Sequence, residues 1–159
     1  MSSEASADTV VAPNLSLLTG PIENPGQPTI FKIEKPEMKR GRHVRVLART
    51  ETMYCNVQFV RQGGENKLHS HPNLDGLWFV LKGRARFYQG HEELLVELGA
   101  GEGVVIPHDF RYWFESTGDE DLELLQVESF TNPGGAIQRV VHDRSGELSA
   151  ESYDMESGH

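Results

Sequence analysis

The sequence predicts an all-β domain, and three observations support this fold class. Short segments rich in β-branched and aromatic residues follow one another, and glycine- and proline-containing turns separate them. No amphipathic helical pattern of convincing length is present. Many short strands with regularly spaced turns are typical of a β-sandwich or a β-barrel. At 159 residues and 17.8 kDa, the chain has the length of one domain with a substantial core.

The predicted strands fill the middle of the chain. Turn sequences such as "QGGEN", "GAGEG", "TGDED" and "TNPGG" divide them, and a "GHE" turn joins two of them as a hairpin. In chain order, the ten segments with the strand pattern are 29–35, 42–50, 52–61, 76–83, 85–89, 93–98, 103–107, 110–116, 122–130 and 136–142.

Both ends of the chain differ in composition from this middle. We expect an irregular N-terminal extension at 1–27, a barrel at 28–142 and an acidic tail at 143–159. The formal net charge is −9, of which −3 falls in the first of these segments and −4 in the last. The middle is therefore nearly neutral, which argues against nucleic acid as a partner, because a phosphate backbone attracts a basic surface.

The sequence also predicts the cellular compartment of the protein. No apolar run approaches the roughly 20 residues that span a bilayer, so we expect no membrane partner. The N-terminus has neither a basic start nor a long apolar core, which argues against a secretory signal. A single cysteine, Cys55, rules out an internal disulfide framework and suits a reducing compartment. We therefore expect a cytoplasmic protein.

Two histidines one residue apart stand out in the stretch "NKLHSHPNLDGLWFVLKG". His69 and His71, with Gly63 before them and Gly83 after them, fit the pattern G-x5-H-x-H-x4-E-x6-G over 63–83. This pattern is the first of the two sequence motifs that mark cupins.

The second cupin motif has the pattern G-x5-P-x-G-x2-H-x3-N. Gly101 and Pro107 fit this pattern, and the stretch 101–116 has the shape of the motif. The chain thus resembles a single-domain cupin over about residues 45–130. The resemblance implies a jelly-roll barrel, the double-stranded β-helix of the cupin type, with irregular extensions at both ends. The cupin fold hosts many unrelated chemistries, so the motifs alone do not fix the reaction.

Three positions depart from the cupin motifs. Gly76 replaces the motif glutamate, Tyr112 replaces the second-motif histidine, and Asp109 replaces a glycine. In a typical metal-binding cupin, the two first-motif histidines, the glutamate and the second-motif histidine hold one metal ion. The resemblance therefore carries over two of four ligands, His69 and His71.

Alternation along a strand places His69 and His71 on one face, pointing into the barrel. Paired imidazoles suit a divalent metal such as Fe, Zn, Ni or Mn. We expect these histidines as metal ligands and, together with Tyr112, as the catalytic residues. Gly76 then leaves an open coordination position. The alternative is a metal-free pocket, in which Gly76 marks the loss of the metal and the His and Tyr side chains transfer protons, as in some sugar-nucleotide cupins.

The same alternation predicts the lining of the pocket. On the strand before the first motif, one of two side-chain sets faces inward, and we choose the more apolar set because a barrel interior is usually apolar. An apolar, partly aromatic lining suits a small organic ligand. The expected pocket residues are Gly76, Trp78, Phe110, Phe114, Val57 and Phe59.

Apolar side chains also occupy the opposite, outward-facing positions. Leu77, Phe79 and Leu81 alternate with the inward set, and Trp113 alternates with Tyr112. A strand that is apolar on both faces must be covered on both. We expect a homodimer, because many cupins pair sheet to sheet; the N-terminal segment is the other candidate cover.

Two classes of function fit these observations. The first is an enzyme that acts on a small organic molecule in the barrel, with a loosely held divalent metal at His69 and His71 and oxygenase, isomerase, cyclase or lyase chemistry. The second is a metal-free cupin, either a ligand-binding or sensing module or an enzyme like the sugar-nucleotide isomerases. The sequence is consistent with both, and we favour the enzyme.

Overall fold

Eleven strands and no α-helix make up the computed structural model, which describes residues 22, 25–134, 136–142 and the strand 154–157. No helix in this described part of the chain could span a membrane. In chain order, the strands are β1 (Arg42–Arg49), β2 (Met53–Val60), β3 (His69–Ser70), β4 (Leu74–Lys82), β5 (Arg84–Gln89), β6 (Glu93–Gly99), β7 (Gly103–Ile106), β8 (Tyr112–Thr117), β9 (Leu122–Phe130), β10 (Val140–Val141) and β11 (Asp154–Ser157).

The strands form two facing sheets. The first has the order β11-β1-β2-β9-β4-β7 and the second the order β10-β3-β8-β5-β6. All pairs are antiparallel except β1 with β11. Strands distant in sequence are neighbours in space, as when β2 and β4 flank β9, and this is the topology of a jelly roll. The predicted all-β jelly-roll barrel is therefore confirmed.

The core lies between the two sheets. Trp78 and Val80 of β4 meet Phe87 of β5 and Phe114 of β8, and all four are at most 2% exposed. The motif residue Gly83 closes the turn from β4 to β5 with a φ of 82°, and a Cβ there would lie 2.9 Å from the carbonyl oxygen of Asp121. Only glycine fits both requirements without strain.

A second apolar layer covers the outside of β1, β2 and β9 in the six-stranded sheet, and here the predicted pocket lining is wrong. Val57 and Phe59 lie in this outer cluster with Leu47, and Ile33 and Met38 pack over them. The prediction failed because the chain before β1 covers this face. Apolar character therefore does not distinguish inside from outside on β2.

Three segments differ from the predicted strands and tail. Residues 29–35 form no strand, and 136–142 contain only the two-residue β10. Within the predicted irregular tail, Asp154–Ser157 pairs in parallel with β1 as an edge strand. The first 21 residues of the predicted N-terminal extension lie outside the described residues.

Candidate functional site

The candidate site lies where β3 and β8 face β4 and β9. His69 of β3 is opposite Tyr112 of β8 in register, and their ring centroids are 4.5 Å apart. The ring of His71 stands nearly perpendicular to that of His69 at 5.0 Å. His71, Gly76 and Tyr112 line one narrow cavity. The structure thus brings together the three predicted catalytic residues.

Backbone carbonyls fix the protonation of both imidazoles. His69 Nδ1 lies 2.7 Å from the carbonyl oxygen of Lys67, and His71 Nδ1 lies 2.7 Å from that of Gln138. A carbonyl oxygen can only accept, so each Nδ1 must donate. In the neutral rings, Nε2 is therefore the acceptor at both histidines.

Burial keeps His69 neutral. Its side chain is only 3% exposed. This burial, aided by the nearby charges of Arg139 and His71, holds the pKa of His69 well below its usual range. A neutral imidazole with a fixed acceptor nitrogen can take up a proton or bind a metal ion.

Tyr112 is held by a hydrogen bond that crosses the barrel. The indole Nε1 of Trp78 donates to Tyr112 Oη at 3.2 Å. Because the hydroxyl oxygen accepts this bond, its own hydrogen is directed to another acceptor. Tyr112 is 2% exposed, so its hydroxyl acts in a nearly dry environment.

A buried acid faces the same cavity, and it is not among the residues predicted from the sequence. Glu128 of β9 lies opposite Gly76 of β4 in register and lines the cavity with it. Burial raises the pKa of Glu128 to about 8, against the opposing effects of Arg139 and of a hydrogen bond from Gln126. The sequence does contain a pattern that indicates its position. Glu128 lies on the same face of β9 as Leu122 and Leu124, which are buried apolar residues at the start of that strand.

Amide side chains connect this acid to β2. Asn56 Nδ2 and Gln58 Nε2 both donate to Gln126 Oε1, at 2.8 and 3.2 Å. Gln126 Nε2 in turn donates to Glu128 Oε1. The inward-facing set on β2 is therefore the one with Asn56 and Gln58, which the sequence analysis rejected as too polar.

The backbone around His71 is fixed by a strained residue. Asp109, at the glycine position of the second motif, has a φ of 65°, so the conformation of that glycine is retained. Its N–H donates to the carbonyl oxygen of His71 at 2.9 Å.

Nearby, Asp75 points outward and accepts hydrogen bonds from the backbone N–H and the Nδ1 of His108, both at 2.9 Å.

The chain after β9 closes one side of the site. Asn73 Nδ2 donates to the carbonyl oxygen of Ala136, and Asn73 Oδ1 accepts from the N–H of Gln138. β10 pairs with β3 directly beside His69. The segment 136–142 therefore belongs to the wall of the site, and it positions the carbonyl group that orients His71.

The remaining predicted pocket residues divide into two groups. Phe110, like Gly76, lines the cavity. Trp78 and Phe114 lie in the adjoining core, with ring centroids 5.0 Å apart, and do not line the cavity.

The donor set does not fit a tightly bound metal ion. His69 and His71 present acceptor nitrogens, but no cluster of three or more His, Cys, Asp or Glu side chains in the described ranges could hold an ion. Glu128 faces the cavity without joining such a cluster. Two imidazoles alone satisfy half of a tetrahedral shell, so no reaction step is assigned to a metal.

Comparison with known proteins identifies the family. The cupin domain model matches residues 56–128. SchB of Streptomyces halstedii is 30% identical over 95 residues, which cover 57% of this chain and 67% of SchB. This chain belongs to the cupin family.

Two further similarities are consistent with this assignment. Polyketide synthase CurC of Streptomyces cyaneus is 28% identical over 96 residues, covering 57% of this chain and 61% of CurC. The structure of KdgF from Halomonas sp. aligns with a TM-score of 0.55 at 17% identity, covering 64% of this chain and 94% of KdgF. The chain thus spans about two thirds of its curated relatives, and the structural likeness concerns the fold.

Proposed function

We propose that this cupin is an enzyme that binds a small carbonyl compound in the barrel and transfers a proton to or from it. The observation that carries the proposal is the pair of tethered imidazoles, whose Nδ1 atoms donate to carbonyl oxygens and leave Nε2 as a base. General bases of this kind accelerate proton transfer by about 100-fold to 10,000-fold. The chemistry belongs to the isomerase, cyclase and lyase classes.

The proposed step is an enolisation. His71 Nε2 takes the proton from a carbon next to the carbonyl group. The electrons of that C–H bond form a C=C bond, and the carbonyl π electrons move to oxygen. The hydroxyl of Tyr112, oriented by Trp78, donates a hydrogen bond to this oxygen. Return of the proton from His71 to another atom gives an isomer. Attack of the enolate carbon on a second carbonyl group of the same molecule gives a ring, and the oxygen of that carbonyl group takes up the proton from His71.

The similarity to a polyketide synthase supports the choice of substrate class. CurC carries that name, and polyketides are chains with carbonyl groups at alternate carbons. A compound of this class has the acidic C–H bonds that an imidazole base can deprotonate at neutral pH.

The test follows the keto–enol relaxation of acetylacetone, a small 1,3-diketone, by the ultraviolet absorbance of its enol. The wild type should accelerate this relaxation, and His71→Ala should lower the acceleration by about 100-fold or more. His91→Ala is the matched control, because His91 lies in the β5–β6 turn away from the cavity. Equal rates for wild type and His71→Ala would exclude the enzymatic function. Saturable binding without acceleration would instead indicate a ligand-binding module.

A second candidate is a cupin that binds a divalent metal only together with its ligand. One observation favours it: both imidazoles are oriented through Nδ1 by carbonyl oxygens, as metal-bound histidines usually are. A bound organic molecule would have to supply the missing donors. Metal analysis of untagged protein purified without chelators tests this candidate. Stoichiometric metal that is lost in His69→Ala would support it, and metal-free active protein would exclude it.

A further inference from the structure

Glu128 is an acid that the cupin motifs do not include, and it occupies an unusual position. It lies directly opposite Gly76, where the family motif has its glutamate. A Cβ at Gly76 would meet no atom closer than the carbonyl oxygen of Ile106 at 4.0 Å. The missing side chain therefore leaves real space, and Glu128 borders that space from the neighbouring strand.

The hydrogen bonds around Glu128 give its two oxygens different roles. The Oε1 atom of Gln126 receives two N–H donors, so its amide nitrogen faces Glu128. Glu128 Oε1 is consequently an acceptor. Glu128 Oε2 is buried and has no hydrogen-bond partner among the residues that the structure describes. When the acid is protonated, its hydrogen therefore resides on Oε2.

A buried polar atom without a partner is costly, about 1–3 kcal/mol, unless something binds to it. The cavity offers the place for a partner, because it is lined by Glu128, Gly76 and His71 together. A protonated Oε2 is a donor, so the complementary group is a hydrogen-bond acceptor, such as a carbonyl oxygen.

We propose that Glu128 and the gap at Gly76 form a subsite for a carbonyl oxygen of the bound molecule, with the protonated Oε2 as the hydrogen-bond donor. This inference rests on the carbonyl-binding function proposed above and assigns it a second contact. A substrate would then span two acceptors, one at Tyr112 and one at Glu128. A 1,3-dicarbonyl unit has this character.

Burial favours the protonated form at neutral pH, since it raises the pKa of Glu128 to about 8. Other groups that titrate or carry charge lie close to it: Tyr54 beside it on β2, His69 on β3, His71 just after β3, Tyr112 on β8, and Arg139 after β9. A pH effect on binding must therefore be assigned by substitution at Glu128 itself.

The test uses cyclopentanone, a probe whose only polar atom is a carbonyl oxygen and which does not titrate. Binding is followed through the amide NMR signals of Gly76 and Glu128. The wild type should bind saturably, and its affinity should fall by about 10-fold or more from about pH 7 to about pH 9.5, because only the protonated fraction binds.

Substitutions then separate the possibilities. Glu128→Gln keeps an N–H donor, so it should bind at all these pH values without the loss. Glu128→Leu and Gly76→Val should not bind, since one lacks the donor and the other fills the gap. Glu123→Gln is the matched control on β9, with its side chain on the opposite face from Glu128, and should behave as the wild type.

Three results would overturn the inference: no saturable binding by the wild type, unchanged affinity in Glu128→Leu, or a pH-dependent loss that persists in Glu128→Gln. These results are independent of the acetylacetone rates. Binding that depends on Glu128 without proton transfer would leave this subsite standing and reject the proposed reaction.

Discussion

The indole nitrogen of Trp78 and the hydroxyl oxygen of Tyr112 are 3.2 Å apart, and this hydrogen bond joins the two sheets inside the barrel. Trp78 lies on β4 of the six-stranded sheet and Tyr112 on β8 of the five-stranded sheet. Both side chains are 2% exposed. The residue at the second-motif histidine position therefore links core packing to the site.

Removing this hydroxyl should destabilise the protein. Tyr112→Phe leaves the buried N–H of Trp78 without its acceptor, at a cost of about 1–3 kcal/mol. The free energy of unfolding in urea measures the effect. Tyr88→Phe is the control, because the Tyr88 hydroxyl bonds to Glu115 in a partly exposed setting; it should cost less. A larger loss in the control would contradict the structural role of Tyr112.

The contribution of Glu128 to stability should fall as the pH rises through neutrality. The folded-state pKa of Glu128, about 8, lies above its ordinary value of 4.5. Below about pH 4.5 the contribution of Glu128 to the free energy of unfolding is fully present. It is lost as the pH rises toward 8, because the unfolded chain releases the Glu128 proton at a lower pH than the folded chain does. Over this window the loss is on the order of a few kcal/mol.

Urea unfolding at a series of pH values measures this slope. Glu128→Gln removes the titrating group but keeps its size, so its free energy of unfolding should change much less over the same window. Glu123→Gln should keep the wild-type slope. An unchanged slope in Glu128→Gln would show that Glu128 is not the buried titrating acid.

Restoring the family glutamate should create a metal requirement. Gly76→Glu places a second carboxyl group opposite Glu128, and the backbone position has room for the side chain. Without a cation, two buried acids cannot both ionise, and the melting temperature should fall. Added Zn²⁺ should raise it again by binding to the new carboxylate and the two histidines. Gly76→Gln is the control and should not respond to zinc as strongly. Equal responses would show that the new carboxyl group does not reach the histidines.

We predict a homodimer that forms through the outer face of β4 and β7. Leu77 and Val105 are paired there in register, and they remain 39% and 64% exposed. Leu77→Glu should dissociate the dimer in sedimentation experiments. Leu94→Glu is the control, because Leu94 is also exposed but lies on β6 of the other sheet. A wild type that sediments as a monomer at micromolar concentration would contradict the prediction.

The sequence was sufficient for most of the strands but not for which side of each strand faces in. Alternation on β4 was decided by Gly83 and the two histidines, so the placement of Gly76 and Trp78 follows from local spacing. On β2 the choice between the two alternating sets of side chains had to rest on polarity, which favoured the apolar set as the inward one. That choice was wrong because Ile33 and Met38 cover the outer face, where the apolar set lies. An inner face with amides is possible because Gln126 satisfies them.

Local spacing places Glu128 on the inward face of β9, but its role also depends on a partner strand. β9 pairs with β4, about 50 residues earlier in the chain, and only that register places Glu128 opposite Gly76. The group that orients His71, the carbonyl of Gln138, is even more distant in sequence. The motif histidines are visible in the sequence, but the carbonyl group that orients His71 and the acid that faces it come from the last third of the domain.

This arrangement has a consequence for how the protein matures during synthesis. The carbonyl group that orients His69 is two residues away, whereas the one that orients His71 is 67 residues away. A nascent chain can therefore set the first imidazole as soon as β3 forms, but the second only after Gln138 has left the ribosome and docked. Long-range contacts of this kind form late because their loops are costly to close. A chain that ends before residue 138 would contain both histidines, with His71 still lacking its orienting carbonyl.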